Sequence, residues 1–157
     1  MRSEKVIGNL KELSAAGRQV DYIDVEWDEI QKRIQRKTTR NGKELGLILE
    51  PQIHRDGLGQ DDVVYMDEQT VVAVNILPFD VLVIHVSDQI ALPKLCYEIG
   101  NRHAPLFWGT ENMQFITPYN EPTLKMLQKL PGIVVSKENL KVDLKKRISN
   151  SIHQHVH

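Results

Sequence analysis

The chain has 157 residues, 41% of them hydrophobic and 26% charged, with a formal net charge of −1 when the histidines are neutral. That length fits one domain or two small ones, either with enough chain to bury a core, and the charge balance gives no reason to expect nucleic acid or an anionic membrane as a partner. No apolar run approaches the ~20 residues that span a bilayer, the N-terminus has no basic start followed by a long apolar stretch, and the single cysteine forbids an internal disulfide, so a cytoplasmic protein is expected.

The first half reads as β. Val6, Ile7 and Leu10 predict an opening strand. Ile23, Val25 and Trp27 alternate with Asp24 and Glu26, the period-2 pattern of a half-buried strand. Asn41-Gly42 between two extended segments predicts a hairpin, because both residues tolerate positive φ. Residues 51–62 are polar and glycine-containing and read as a loop, and residues 63–66 and 70–76 read as a strand pair around Asp67, Glu68 and Gln69. So many short strands predict a small sandwich or barrel.

The pattern changes near Leu77, Pro78 and Phe79. Residues 81–86 form a short apolar run, expected to be a buried strand. Leu92, Leu95, Cys96 and Ile99 then make an apolar helix stripe, with Pro93 in the first turn and Gly100 as the stop. Two short strands follow, around residues 104–108 and 113–117. Asn120 is placed to cap a second helix that has Pro122 in its first turn and Leu124, Leu127 and Leu130 inward, and Pro131-Gly132 ends it before a last strand at residues 133–135. Strand, helix, strand, strand, helix, strand is the ferredoxin-like order. Leu140, Leu144 and Ile148 at four-residue spacing point to one more helix, and the final residues have no apolar pattern.

Six histidines carry the chemistry: His54, His85, His103, His153, His155 and His157. The last three form an H-x-H-x-H tail, and imidazole is a good ligand for nickel, zinc and copper. A disordered tail with chance histidines is the competing reading. His103 follows the expected helix stop in Gly100-Asn101-Arg102-His103. One imidazole holds a metal poorly, but a homodimer supplies two copies from one residue on its two-fold axis. Cys96, on the apolar stripe, reads as a packed core thiol, His85 as structural and His54 as solvated. The basic run Lys32, Arg33, Arg36, Lys37 and Arg40 follows Asp24, Glu26, Asp28 and Glu29, so a self-neutralising surface is expected there. No nucleotide, hydrolase or metalloprotease signature is present, nor any nucleophile–base pair, so no enzyme is expected.

Residues 96–106, CYEIGNRHAPL, resemble the corresponding stretch of the urease accessory UreE family, where G-N-R-H ends the first helix of the second domain. Residues 20–49 are similar to that family's N-terminal β domain, and the histidine-bearing end fits as well. The resemblance implies an α+β chain: an all-β domain at 1–77 that is a possible peptide- or protein-binding module, a ferredoxin-like metal-binding and dimerisation domain at 78–149, and a flexible His tail at 150–157. It implies a homodimer whose metal ligands are His103 from each subunit with His153, His155 and His157 as a class. It also implies a metallochaperone that delivers Ni(II) to apo-urease, with other accessory proteins including a GTPase as partners. Zn(II) or Cu(II) suits the same imidazoles, so nickel enters through the resemblance alone. Some family members carry a further H-x-H pair in the second domain; residues 115–123 here hold no histidine, so that extra site is expected to be missing. The alternatives are a protein-binding module without metal transfer, a zinc hydrolase lacking enough fixed ligands, and RNA binding through the basic run.

Overall fold

The computed structural model describes residues 1–149. The chain divides into two compact units, Met1–Leu77 and Pro78–His157. Both are built mainly of sheet with few helices, an α+β composition.

The first unit holds seven strands in two sheets. β1 (Arg2–Ser3), β5 (Glu44–Ile48) and β4 (Ile34–Thr38) form one, in the order β1-β5-β4. β2 (Gly8–Asn9), β6 (Asp62–Met66), β7 (Thr70–Ile76) and β3 (Gln19–Val25) form the other, in the order β2-β6-β7-β3. In β3 and β5 the core is made by alternate residues, Ile23 and Val25 and Leu45 and Leu47, all at 0% exposure, whereas β7 is buried on both faces through Val71, Val72, Ala73 and Val74. Several expectations change. The opening apolar residues form no strand of their own; the pairs are at Arg2–Ser3, parallel to β5, and Gly8–Asn9, on β6. β3 ends at Val25, two residues before Trp27, and lies parallel to β7. Residues 51–62 are not all loop, because Ile53–Asp56 form a one-turn helix, α1, anchored by buried Ile53.

The β4–β5 hairpin exists, but not with two left-handed residues. Thr39 N–H donates to Lys43 O and Gly42 N–H to Thr39 O, and Gly42 alone has positive φ, at +86°. That is the three-residue turn with glycine at its left-handed end. The basic run is neutralised largely as expected: Arg36 pairs with Glu44, Lys37 with Glu29 and Arg40 with Asp24.

The second unit starts with β8 (Phe79–Val86), followed by α2 (Leu92–Asn101), β9 (Phe107–Trp108), β10 (Gln114–Pro118), α3 (Glu121–Gln128) and β11 (Ile133–Leu140). Its sheet runs β11-β8-β10-β9, antiparallel at every junction. β8 and β9 therefore run parallel with β10 inserted between them, and β10 and β11 run parallel around β8. Leu82, Ile84 and Val86 of β8 and Phe115 of β10 meet Leu95 and Ile99 of α2 and Leu127 of α3 in one cluster. Each such side chain contributes about 1.5–3 kcal/mol on burial.

α3 starts where the sequence places it. Asn120 is extended at φ −152°, and its Oδ1 accepts the Thr123 N–H at 3.1 Å. The expected last helix does not form. β11 stays paired with β8 through eight residues to Leu140, and among the described residues only a 3₁₀ turn at Leu144–Lys146, capped by Asp143, follows as a helix.

Two outcomes follow. Asn120→Ala is expected to cost about 1 kcal/mol in a denaturant melt, because one helix N–H loses its acceptor. Glu29 is held below the ordinary carboxylate range by the hydrogen bond from Lys37, which outweighs its partial burial. Its folded pKa is the lower one, so its stabilisation is complete above the unfolded value of about 4.3 and is lost as pH falls through the folded value. Glu29→Gln is expected to flatten that part of the acid limb, read from melts at about pH 7 and about pH 3.

Candidate functional site

α2 fixes the one prominent site. Its inner side is set by Leu95 and Ile99, at 0% and 1% exposure, against the sheet. Its end is not at Gly100, as the sequence predicts, but at Asn101. Ala104 N–H reaches back to Ile99 O at 3.2 Å, and His103 N–H to Gly100 O at 3.0 Å. These two bonds are the Schellman closure, and Ala104 packs against the core cluster that contains Ile99, as often accompanies that closure. The residue at the left-handed position is normally glycine. Here it is His103, at φ +55°. A residue with a Cβ costs roughly 1–2 kcal/mol in that region. Strain of this size persists only where the surrounding packing imposes it, and it clusters at functional positions.

Asn101, Arg102 and His103 are all exposed. The outward side of α2 leading to them is unusually apolar: Tyr97 is 70% exposed, and Ile90, in the 3₁₀ turn before the helix, is 85% exposed. Cys96 is on this side too, not in the core. Its thiol is pushed up by partial desolvation, so it is a poor thiolate in this setting. Gly100 is exposed, and a Cβ built there would meet nothing within 4 Å. Cys96 and Gly100, four residues apart, lie on one line of the helix surface, and His103 follows just past the helix end.

The other histidines are elsewhere. His54 is on α1. His85 is on β8, on the sheet side opposite the one that packs α2, by the alternation with Ile84 and Val86. Its Nδ1 is 3.9 Å from Glu111, and its Nε2 is 3.4 Å from Gln114 Nε2. Gln114 Oε1 in turn accepts from Thr110 N–H, Thr110 Oγ and Glu111 N–H, tying down the β9–β10 loop. His85 therefore belongs to a loop anchor. His153, His155 and His157 lie outside the described residues. Among the described residues, no three His, Cys, Asp or Glu side chains gather as a metal site. His103 is accordingly an exposed imidazole that belongs to no such group among the described residues. Sequence reasoning found His103 but missed its backbone state and the exposed Tyr97 and Ile90; the signal available was a helix ending in N-R-H with no glycine at the turn itself.

Comparison with known proteins fits this arrangement. Residues 4–77 match the family described as UreE urease accessory protein, N-terminal domain, and residues 79–157 match its C-terminal domain. The urease accessory protein UreE of Helicobacter pylori (strain G27) is 40% identical over 151 residues, 95% of this chain and 86% of that protein. The UreE of Helicobacter acinonychis (strain Sheeba) is 39% identical over the same span, and that of Helicobacter bizzozeronii is 37% identical over 153 residues. UreE proteins are accessory factors of urease maturation, not enzymes. With both of its halves matched in order, this chain belongs to the UreE family of urease accessory proteins.

Proposed function

We propose that the chain is a nickel metallochaperone, which binds Ni(II) as cargo and delivers it to apo-urease while the urease metallocentre is assembled. The observation that carries the reading is His103, an exposed imidazole held in the left-handed region at the end of a helix whose outward side is apolar. Neither feature serves the protomer's own core.

A homodimer explains both. An isologous contact over the outward side of α2 would cover Ile90 and Tyr97 and would bring two copies of His103 to one axis. Gly100 leaves room for a close backbone approach there. Two imidazoles make half of a shell, and His153, His155 and His157 complete it. Ligands that come from a tethered segment leave one at a time, so the ion is handed on in steps, and the tether raises their effective concentration. Zn(II) and Cu(II) compete for the same nitrogen ligands. Only unprotonated imidazole binds, so metal affinity falls on acidification.

In this reading residues 78–149 are a ferredoxin-like unit that dimerises and carries the metal, residues 150–157 are the His tail, and residues 1–77 are a β domain that grips protein partners. Apo-urease and the other urease accessory proteins, a GTPase among them, are the partners, and the cytoplasm is the compartment.

Calorimetric titration of Ni(II) tests the core of it. His103→Ala is expected to lose the tightest site, with affinity down at least tenfold; unchanged stoichiometry and affinity reject the shared site. His103→Gly is expected to lose that site too while gaining about 0.5–1 kcal/mol of stability, since relief of left-handed strain exceeds glycine's extra chain entropy. Tyr97→Asp keeps His103 and, at a position this exposed, the protomer fold; it is expected to sediment as a monomer and to bind nickel weakly. A chain ending at Ser151 is expected to bind several-fold more weakly without losing the site. Full partner binding with no nickel uptake by the intact chain would favour a protein-binding module instead.

A further inference from the structure

The last described stretch of the second unit crosses from one edge of its sheet to the other. β11 ends at Leu140, paired with Phe79, on one edge. β9 is the other edge, three strand spacings or about 14 Å away. Between them the chain buries Val142 at 8% exposure and makes the 3₁₀ turn at Leu144–Lys146. It then meets β9. Arg147 stands opposite Phe107 as an isolated antiparallel bridge, and Ile148 N–H donates to Leu106 O at 2.9 Å.

Core packing does not account for this last contact. Ile148 is 38% exposed. Arg147 has its Nε buried with no hydrogen-bond partner among the described residues, which opposes folding.

What the clamp fixes is the point from which the rest of the chain sets out. Leu106 is three residues from His103, at most about 11 Å along the backbone. Paired backbones are about 5 Å apart, so Ile148 is kept within about 16 Å of His103 in the same protomer. His153 is five residues beyond Ile148, a reach of at most about 17 Å. The first tail histidine can therefore come to its own protomer's His103. With the clamp open, the last residue held by the sheet is Leu140, which is thirteen residues from His153 and on the far edge.

We propose that Arg147 and Ile148 are positioning residues for metal capture: their clamp on Leu106 and Phe107 roots the His tail beside His103, so that the tail and the fixed imidazole meet the same ion. The inference rests on the carrier reading and adds to it where the tail is fastened. The effective concentration of a tethered ligand falls roughly as the −3/2 power of tether length, so going from five residues to thirteen lowers it about fourfold at His153.

The test is titration of Ni(II) into the full chain and its variants, with amide hydrogen exchange of the metal-free chain. Ile148→Pro removes the clamp's N–H, and Arg147, at φ −60° and ψ 133°, already suits a following proline. An eight-residue Gly-Ser insertion after Ser149 lengthens the tether and leaves the clamp intact. Each change is expected to weaken nickel binding about fourfold, with unchanged stoichiometry and no more than the loss in a chain ending at Ser151. Combined, they are expected to add only about twofold to either alone, because the tether is already long. The Ile148 amide is expected to exchange slowly. An unprotected Ile148 amide, a combined loss near the product of the two single losses, or an affinity that depends on the tail but not on Ile148→Pro or the insertion would overturn the clamp alone. A chain ending at Ser151 that binds nickel as tightly as the full chain would overturn the tail's role and the clamp with it.

Discussion

The turn that closes α2 is the constraint on which the site depends. Two backbone hydrogen bonds and the packing of Ala104 against the cluster that contains Ile99 leave the intervening residue no choice but the left-handed region. Ile99 is buried at 1% exposure in the same cluster as Leu82, Ile84 and Leu127, so the turn is held by the core of the second unit and not by the surface. His103 is strained because its neighbours are satisfied. A glycine would suit the backbone better and would carry no imidazole. The chain keeps the residue that is worse for the fold, an arrangement in which backbone strain is maintained by packing elsewhere.

A consequence is that the imidazole stands on a rigid support but belongs to no group of three ligand side chains among the described residues. Closed structural metal sites take four ligands from one fold, and the described part of this chain gathers no such group. In the proposed carrier that shortfall is the useful property. Symmetry supplies the second copy of the fixed ligand, and the remaining ligands come from a tether. Retention then depends on assembly, and release does not require the core to open. The apolar outward side of α2 and the open position at Gly100 belong to the same scheme, because a surface that is to meet its own copy can be apolar without aiding the protomer.

Much of this was legible in residue order. The stripe of Leu95 and Ile99, the Asn120 cap and the strand expected at residues 81–86 came from local pattern, and local pattern is what they rest on. Cys96 was misplaced for a geometric reason. At about 100° per residue, Leu92, Leu95 and Ile99 span a narrow arc, and Cys96 falls roughly 70° from its centre, past Leu92 at the half-buried margin. The C-terminal helix expected from Leu140, Leu144 and Ile148 fails because β8 captures the chain through Leu140, which pairs with Phe79, a long-range contact that spacing alone does not reveal. The parallel pairing of β3 with β7 was hidden likewise, since nothing local to either strand sets its direction. His103 was found by resemblance, but its left-handed state was not, because Gly100 offered a more obvious stop and only the backbone bond from Ala104 N–H to Ile99 O decides against it.

The two units meet different demands, and their surfaces differ accordingly. In the proposed carrier, the second unit's function attaches to a helix end, where a single side chain is aimed by a packed turn and specificity would come from which atoms coordinate. In the first, the feature in excess of folding needs is the outward face of the sheet β1-β5-β4, where Ile34 and Ile48 stand exposed opposite each other and recognition would come from side-chain complementarity over several residues. A carrier needs both kinds of contact. Imidazole ligands favour several divalent ions, with copper above nickel in the usual order, so ligand chemistry alone cannot direct cargo to one destination. Selectivity of delivery has to arise from which protein is held close while the metal is released, and that places the burden on a docking surface separate from the metal ligands.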